Sequence, residues 1–478
     1  MTIAILLYLL VGVAMLIRLL LYGIRPTKML AWFLAIFTIP VAGMLLFFAF
    51  GRNRRNTKFF KLKKTREILE YLEMVDQFYN KVGKDTRMHL AGPIKEHLKL
   101  VKLTAKSSKS IPVSGNELLP LKNGPATFNA IFNAMETAKH FIHIQYYIFE
   151  EGELSQKFLI ILERKVKQGV KVRLTYDGIG SGTLSKKYIA AFRKAGIEAY
   201  SFLPMRLGRI LSTINHRNHR KIVIVDGLVG FTGGINVSDK YIKGDPDLGT
   251  WHDMHLQLKG PIVNSLQAVF AIDWSFVSGT DELLNKRFFL NRTNFGETLA
   301  QVISSGPDSD FASIHQLYFE MINAAKEYVY ITNPYVVPSD ALLEALQVSA
   351  LGGIDVRLML PANSDSFLVK WSVRSYFENL LEAGVKIFLF QDGFIHSKTI
   401  VSDDALTTIG TANLDIRSFE QNYEVNVLVY EKEFAEVLKS DFLKNCDKCV
   451  QLDYHEHVNR SNIVRLKEGV AKLFSPVL

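Results

Sequence analysis

Two stretches decide the reading of this chain: His219 to Asn236, HRKIVIVDGLVGFTGGIN, and His396 to Asn413, HSKTIVSDDALTTIGTAN. His219, Lys221, Asp226 and Asn236 recur as His396, Lys398, Asp403 and Asn413, each displaced by 177 residues. At residue frequencies of roughly one in twenty, one His-x-Lys-x4-Asp arises by chance, but two copies with matched Asn residues do not. The residue types suit chemistry at phosphorus. A lysine offers positive charge to non-bridging phosphate oxygens, and Asn236 and Asn413 can donate further hydrogen bonds to a bound substrate. One histidine can attack phosphorus and hold it covalently. The other can protonate the leaving oxygen and then deprotonate the incoming nucleophile. A single motif supplies half of this, so the duplication has a chemical reason, and the catalytic set is His219, Lys221, Asp226, His396, Lys398 and Asp403.

On a strand, alternate side chains share a face, so each His and Lys are expected together and each Asp on the other side. Asp226 and Asp403 are therefore given a structural or orienting role. Each imidazole needs a partner for its second nitrogen. Asp253 in WHDMHLQL and Glu424 in NYEVNVLV open probable strands after the motifs and are the expected orienting carboxylates. His143, His216, His252 and His315 have no counterpart in the repeat and read as structural.

Outward from the motifs, the repeat continues. GVKVRLTYD (169–177) matches GIDVRLMLP (353–361), AGIEAY (195–200) matches AGVKIF (383–388), and FIHIQYYIF (141–149) matches YVYITNPYVV (328–337). These read as strands alternating with helices such as 156–168 and 341–350, giving an α/β class with two similar domains related by pseudo-twofold symmetry. The expected divisions are 115–285 and 286–478. Residues 67–103 read as a helical connector, and 104–116, rich in Ser and Lys, as a linker.

Further upstream, Met1 to Ile17 and Met29 to Phe50 carry no charge. Each approaches the ~20 residues that cross a bilayer as a helix, so residues 1–50 are expected to form a two-helix transmembrane hairpin. The first run lacks the basic start of a cleaved signal peptide. Residues 1–66 hold eleven basic residues and no acidic one, whereas the remainder has 46 basic against 47 acidic. Arg52, Arg54, Arg55, Lys58, Lys61, Lys63, Lys64 and Arg66 form a basic juxtamembrane run within the expected 51–114 segment. That run places residues 51 onward in the cytoplasm and favours anionic lipid headgroups. A nucleic-acid enzyme would carry its basic footprint at the site, and here the charge lies elsewhere. The two cysteines, Cys446 and Cys449, exclude a disulfide scaffold. With His455 and His457 they could hold zinc, although C-x-x-C alone is a weak signal and reduced thiols are the simpler reading.

The two motifs resemble those of the phospholipase D superfamily over about residues 115–478. GTANLDIRSFEQNYEVNV (410–427) and the N-terminal hairpin are similar to bacterial cardiolipin synthases. That resemblance implies a membrane enzyme without metal or cofactor, working by two-step transfer. One phosphatidylglycerol would give its phosphatidyl group to a histidine and release glycerol, and a second would accept it. It also implies His219 as nucleophile and His396 as general acid, then base. Nearby Arg217 and Arg220 would favour a neutral His219, and Asp392 a protonated His396. Thr411 departs from the Ser common in the superfamily. A hydrolytic phospholipase D, a phosphatidylserine-type synthase and a nuclease use the same motifs. Phosphatidylglycerol, other anionic lipids and the membrane are the expected partners, and nucleic acid is not. The oligomeric state is not written in the sequence.

Overall fold

The computed structural model describes residues 2–21, 26–39, 41–47, 66–81, 92–204, 215–289 and 293–475. Within them lie two equivalent sets of strands. The first half holds β1 (Val113–Lys122), β2 (Phe141–Tyr146), β3 (Lys171–Asp177), β4 (Glu198–Phe202), β5 (Arg217–Asn218), β6 (Ile222–Val225), β7 (Val229–Gly233), β8 (Trp251–His252) and β9 (Met254–Lys259). The second holds β10 (Thr298–Ser305), β11 (Tyr328–Thr332), β12 (Val336–Val337), β13 (Asp355–Pro361), β14 (Lys386–Phe390), β15 (Phe394–Ile395), β16 (Thr399–Ser402), β17 (Leu406–Gly410), β18 (Leu414–Asp415), β19 (Asn422–Val429) and β20 (Cys449–Gln451). The repeated segments read from sequence become β2 and β11, β3 and β13, and β4 and β14.

The strand order is symmetric. From one end it runs β4-β3-β2-β6-β7-β9-β1, and then, in the mirrored order, β10-β19-β17-β16-β11-β13-β14-β20. The halves join where β1 pairs antiparallel with β10, Val113 opposite Ala300 and Asn116 opposite Thr298. β2, β3 and β4 are mutually parallel, as are β11, β13 and β14, each entered from a helix. Helices 153–167 and 340–351 stand within a few residues of expectation. The strands carrying the motifs are buried on both faces: every residue of β6, β17 and β19 is buried, and β6 (IVIV) is accordingly an unbroken apolar run. The helices Ile262–Ser278 and Lys432–Cys446 pack Phe270, Trp274, Leu438 and Phe442 into a core shared by strands of both halves.

The expected linker at 104–116 is not one. The helix Leu98–Ser108 runs through it and β1 begins at Val113. Ser and Lys suggested solvent, but Leu100, Val101, Thr104 and Ala105 form an inward stripe, and Thr104 Oγ1 donates to Gln301 Oε1 at 3.0 Å. At the N-terminus the helix Thr2–Leu21 forms. The second run is divided into Pro26–Thr38 and Ala42–Leu46, around Pro40, which has no amide N–H to donate. Among the described residues no helix is long and apolar enough to cross a membrane. The basic run from Arg52 to Lys64 lies outside the described residues.

Candidate active site

The motif histidines and lysines do not sit in regular strands as parity suggested. His219–Lys221 link β5 to β6, and His396–Lys398 link β15 to β16. In each case the segment before the histidine leaves its own half. β5 pairs in parallel with the start of β19, and β15 pairs in parallel with β8. The His219 amide then donates to Tyr423 O at 2.9 Å, and the His396 amide to His252 O at 2.7 Å. The next residue along each partner is Glu424 or Asp253. The carboxylates are thereby exchanged between halves: His219 Nδ1 donates to Glu424 Oε2 at 2.9 Å, and His396 Nδ1 to Asp253 Oδ2 at 2.7 Å. Each bond holds a proton on Nδ1 and leaves Nε2 as the unprotonated nitrogen of a neutral imidazole.

Lys221 and Lys398 complete the cluster. Their ammonium groups donate to the carbonyls of His219 and His396 respectively, and Lys398 Nζ also lies 2.9 Å from His396 Nδ1. Both are fully buried, and burial pushes their pKa down, Lys221 to about 7 and Lys398 to about 8. Burial also holds His219 well below the usual range, helped by Lys221, Lys398 and Arg417. His396 is lowered to about 4 by burial and Lys398, against the opposing pull of Asp253. Burial raises Glu424 to about 7, against Lys221. Each lysine acts on the histidine of the other half, so the two motifs form one electrostatic site.

The charges expected from sequence neighbours are not the ones at the histidines. Arg217 pairs with Asp177 at 3.3 Å, and Arg220 grips Asp273 with two bonds of 2.7 Å. Asp392 turns outward to Lys448 at 2.6 Å. His396 is therefore pushed toward neutrality, the reverse of the expectation built on Asp392. Asp226 and Asp403 are bound to backbone amides, in line with the structural or orienting role read from the sequence. Each sits in a left-handed turn, with φ of 52° and 54°, and accepts three backbone N–H bonds, from Lys139, His140 and Phe141 or from Lys326, Glu327 and Tyr328. Asn236 is buried and accepts from the Ile148 amide, with its Nδ2 3.4 Å from Tyr241 Oη. Asn413 is buried, and its Oδ1 has no hydrogen-bond partner among the described residues.

Several site residues carried no repeat signal that sequence reasoning used. Tyr147 stands edge-on to His219 at 4.8 Å, and Tyr335 edge-on to His396 at 6.3 Å. Tyr241 Oη approaches His396 Nδ1 at 3.1 Å. Thr411 Oγ1 donates to Glu424 Oε2 at 2.5 Å. By the displacement of 177, Thr411 matches Gly234, where a Cβ would lie 2.1 Å from Asp253 Oδ1. The short carboxylate thus takes space that only glycine leaves open, whereas the longer one accommodates a hydroxyl neighbour. Near the C-x-x-C pair, Cys449 Sγ donates to Asn445 O and His457 packs on Phe377, and among the described residues no three His, Cys, Asp or Glu converge to hold an ion.

Comparison with known proteins agrees with this architecture. Residues 131–274 and 318–446 match the family described as "Cardiolipin synthase, PLD-like domain". A curated cardiolipin synthase from Geobacillus sp. is 39% identical over 95% of this chain and 89% of its own length. Cardiolipin synthase 2 of Staphylococcus epidermidis is 38% identical over 94% of this chain and 92% of its own. Among solved structures, a phosphatidylserine synthase from Haemophilus influenzae shares the fold with a TM-score of 0.60 at 14% identity, covering 80% of this chain and 100% of that one. Matched in both halves by one family model and aligned almost end to end with curated relatives, the chain belongs to the cardiolipin synthases with phospholipase D-like domains and is a phosphatidyltransferase.

Proposed function

We propose that cardiolipin synthesis proceeds here through a phosphohistidine on His219, with phosphatidylglycerol as both donor and acceptor. The observation that carries the reading is the exchanged pairing of two buried histidines with two carboxylates, beside two lysines. His219 Nε2 attacks phosphorus, and the bond from phosphorus to the glycerol oxygen breaks. His396 gives its Nε2 proton to that oxygen, and glycerol leaves. A hydroxyl of a second phosphatidylglycerol then gives its proton to His396 and attacks phosphorus, freeing His219. Without substrate both histidines are held neutral. A bound phosphate anion offsets the lysines and favours protonation, and Asp253 directs the gain to His396. Lys221 and Lys398 stabilise charge on the non-bridging oxygens, with Asn236 and Asn413 as further donors. Incubating the purified protein with phosphatidylglycerol alone tests the reading. Cardiolipin and glycerol in equal amounts support it, and phosphatidic acid with glycerol would make water the acceptor.

The same proposal divides the catalytic body at 115–285 and 286–478 and sets the N-terminal helices in the cell membrane, with the body cytoplasmic. Supporting it are the exposed Leu6, Leu10, Leu20, Leu30 and Leu34, and the lack of any acidic residue before Glu67. Protein lacking residues 1–50 should become extractable from membranes by alkaline carbonate yet turn over detergent-dispersed lipid, and a folded but inactive truncation would contradict this.

A further inference from the structure

The helix Asn462–Lys472 is seated with its polarity reversed. Glu468, 2% exposed, points inward with Ala471 and is ion-paired: Arg460 Nε lies 2.8 Å from Glu468 Oε2 and Arg374 Nε 3.8 Å from Oε1. Ile463, Leu466 and Val470 point outward at helical spacing, with Leu473, 77% exposed, and Phe474 continuing the stripe. A second helix, Phe367–Arg374, is joined to it by the Ser372 and Ser475 hydroxyls at 2.9 Å. It adds Phe367, 73% exposed, whose ring lies 6.1 Å from that of Trp371. Lys467 Nζ covers the Trp371 ring at 5.2 Å. Arg465, Lys467 and Lys472 are exposed at the edges, and the only acid of the helix is the inward Glu468. Single exposed apolar residues are ordinary, but a continuous stripe edged by cations is not.

We infer that this two-helix face docks on an anionic phospholipid bilayer, with the apolar stripe entering the headgroup boundary and the cations meeting the phosphates. Charge selects the occupant. A twofold pairing of two copies would set one cationic rim against another, whereas an anionic surface complements it. Position supports the same choice. Helix Phe367–Arg374 starts just after Asp365, which accepts from the Tyr335 hydroxyl, and the Tyr335 ring stands against His396. Laying the face on a bilayer therefore brings the rim of the histidine site to the lipid. The inference does not depend on which histidine is the nucleophile, and it adds a contact beyond the N-terminal helices.

The test uses the full chain with Cys446→Ser, Cys449→Ser and a nitroxide on Leu466→Cys, reconstituted in vesicles of phosphatidylglycerol and phosphatidylcholine. The expected spectrum relaxes more with oxygen than with a water-soluble nickel chelate, marking insertion. Combining Arg465→Gln, Lys467→Gln and Lys472→Gln should reduce that preference several-fold. A label as open to nickel as one on Lys186→Cys would overturn the inference. So would dipolar broadening between copies, which would assign the face to self-association.

Discussion

At the scale of single residues, the two histidines differ in their surroundings despite the repeat. His219 faces Lys221, Lys398 and Arg417, whereas His396 has the Tyr241 hydroxyl beside it and the shorter carboxylate behind it. If His219 is the nucleophile, His396→Ala should still form a phosphatidyl-enzyme from a substrate whose leaving group needs no proton, and His219→Ala should form none. Mass spectrometry of the trapped protein checks this, and an adduct on His396 reverses the roles. Glu424 supplies a pH signature. Its carboxyl, raised to about 7, loses charge as pH falls through that value and no longer supports the His219 imidazole. kcat/KM should therefore decline below about pH 7, and Glu424→Gln should remove this limb and lower the rate roughly 10²-fold. Stability has the opposite sign. From about 4.5 to 7 the native protein keeps a proton on Glu424 that the unfolded chain has lost, so Glu424 becomes destabilising as pH rises. Denaturant titrations of Glu424→Gln should show that part of the slope gone.

Among the elements, the motif aspartates act as strand-start caps. Asp226 ties the turn after β6 to the first residues of β2, and Asp403 ties the turn after β16 to those of β11. These are charge-assisted bonds in a left-handed turn that an alanine tolerates poorly. Both caps are partly solvated, so water recovers some of the loss. Asp226→Ala should cost about 2–4 kcal/mol of stability, read by denaturant unfolding, while kcat of the folded fraction stays within a few-fold. A large loss of kcat at unchanged stability would return the residue to the chemistry.

Across the whole molecule, neither half holds a complete histidine–carboxylate pair. The exchange through β5 with β19 and β15 with β8 makes the site a property of the joined halves. Removing one partner should leave little for removal of the other to cost. His219→Gln combined with Glu424→Gln should therefore be hardly worse than His219→Gln alone, and likewise His396→Gln with Asp253→Asn. Steady-state kinetics of the four-member cycles measures it, and full additivity across the halves would contradict the pairing.

Much is legible in the sequence itself. The duplication at a displacement of 177 declared two like domains, the residue types pointed to chemistry at phosphorus, and Asp253 and Glu424 stood out because each stands at the start of an expected strand. These are local or periodic features, and a linear chain displays them. The pairing of each carboxylate with the histidine of the opposite half was not legible, because a repeat states which residues are equivalent but not which meet. Arg217, Arg220 and Asp392 misled for the same reason: neighbours along an extended chain point apart, and each found a partner elsewhere. The Ser- and Lys-rich stretch at 104–116 became helix and strand because the inward stripe of the preceding residues Leu100 and Val101 continues into it through Thr104 and Ala105 and had a sheet to cover. The inward-facing Glu468 could be read only once Arg460 and Arg374 were in place, since burial of a charge is decided by partners that tertiary packing brings.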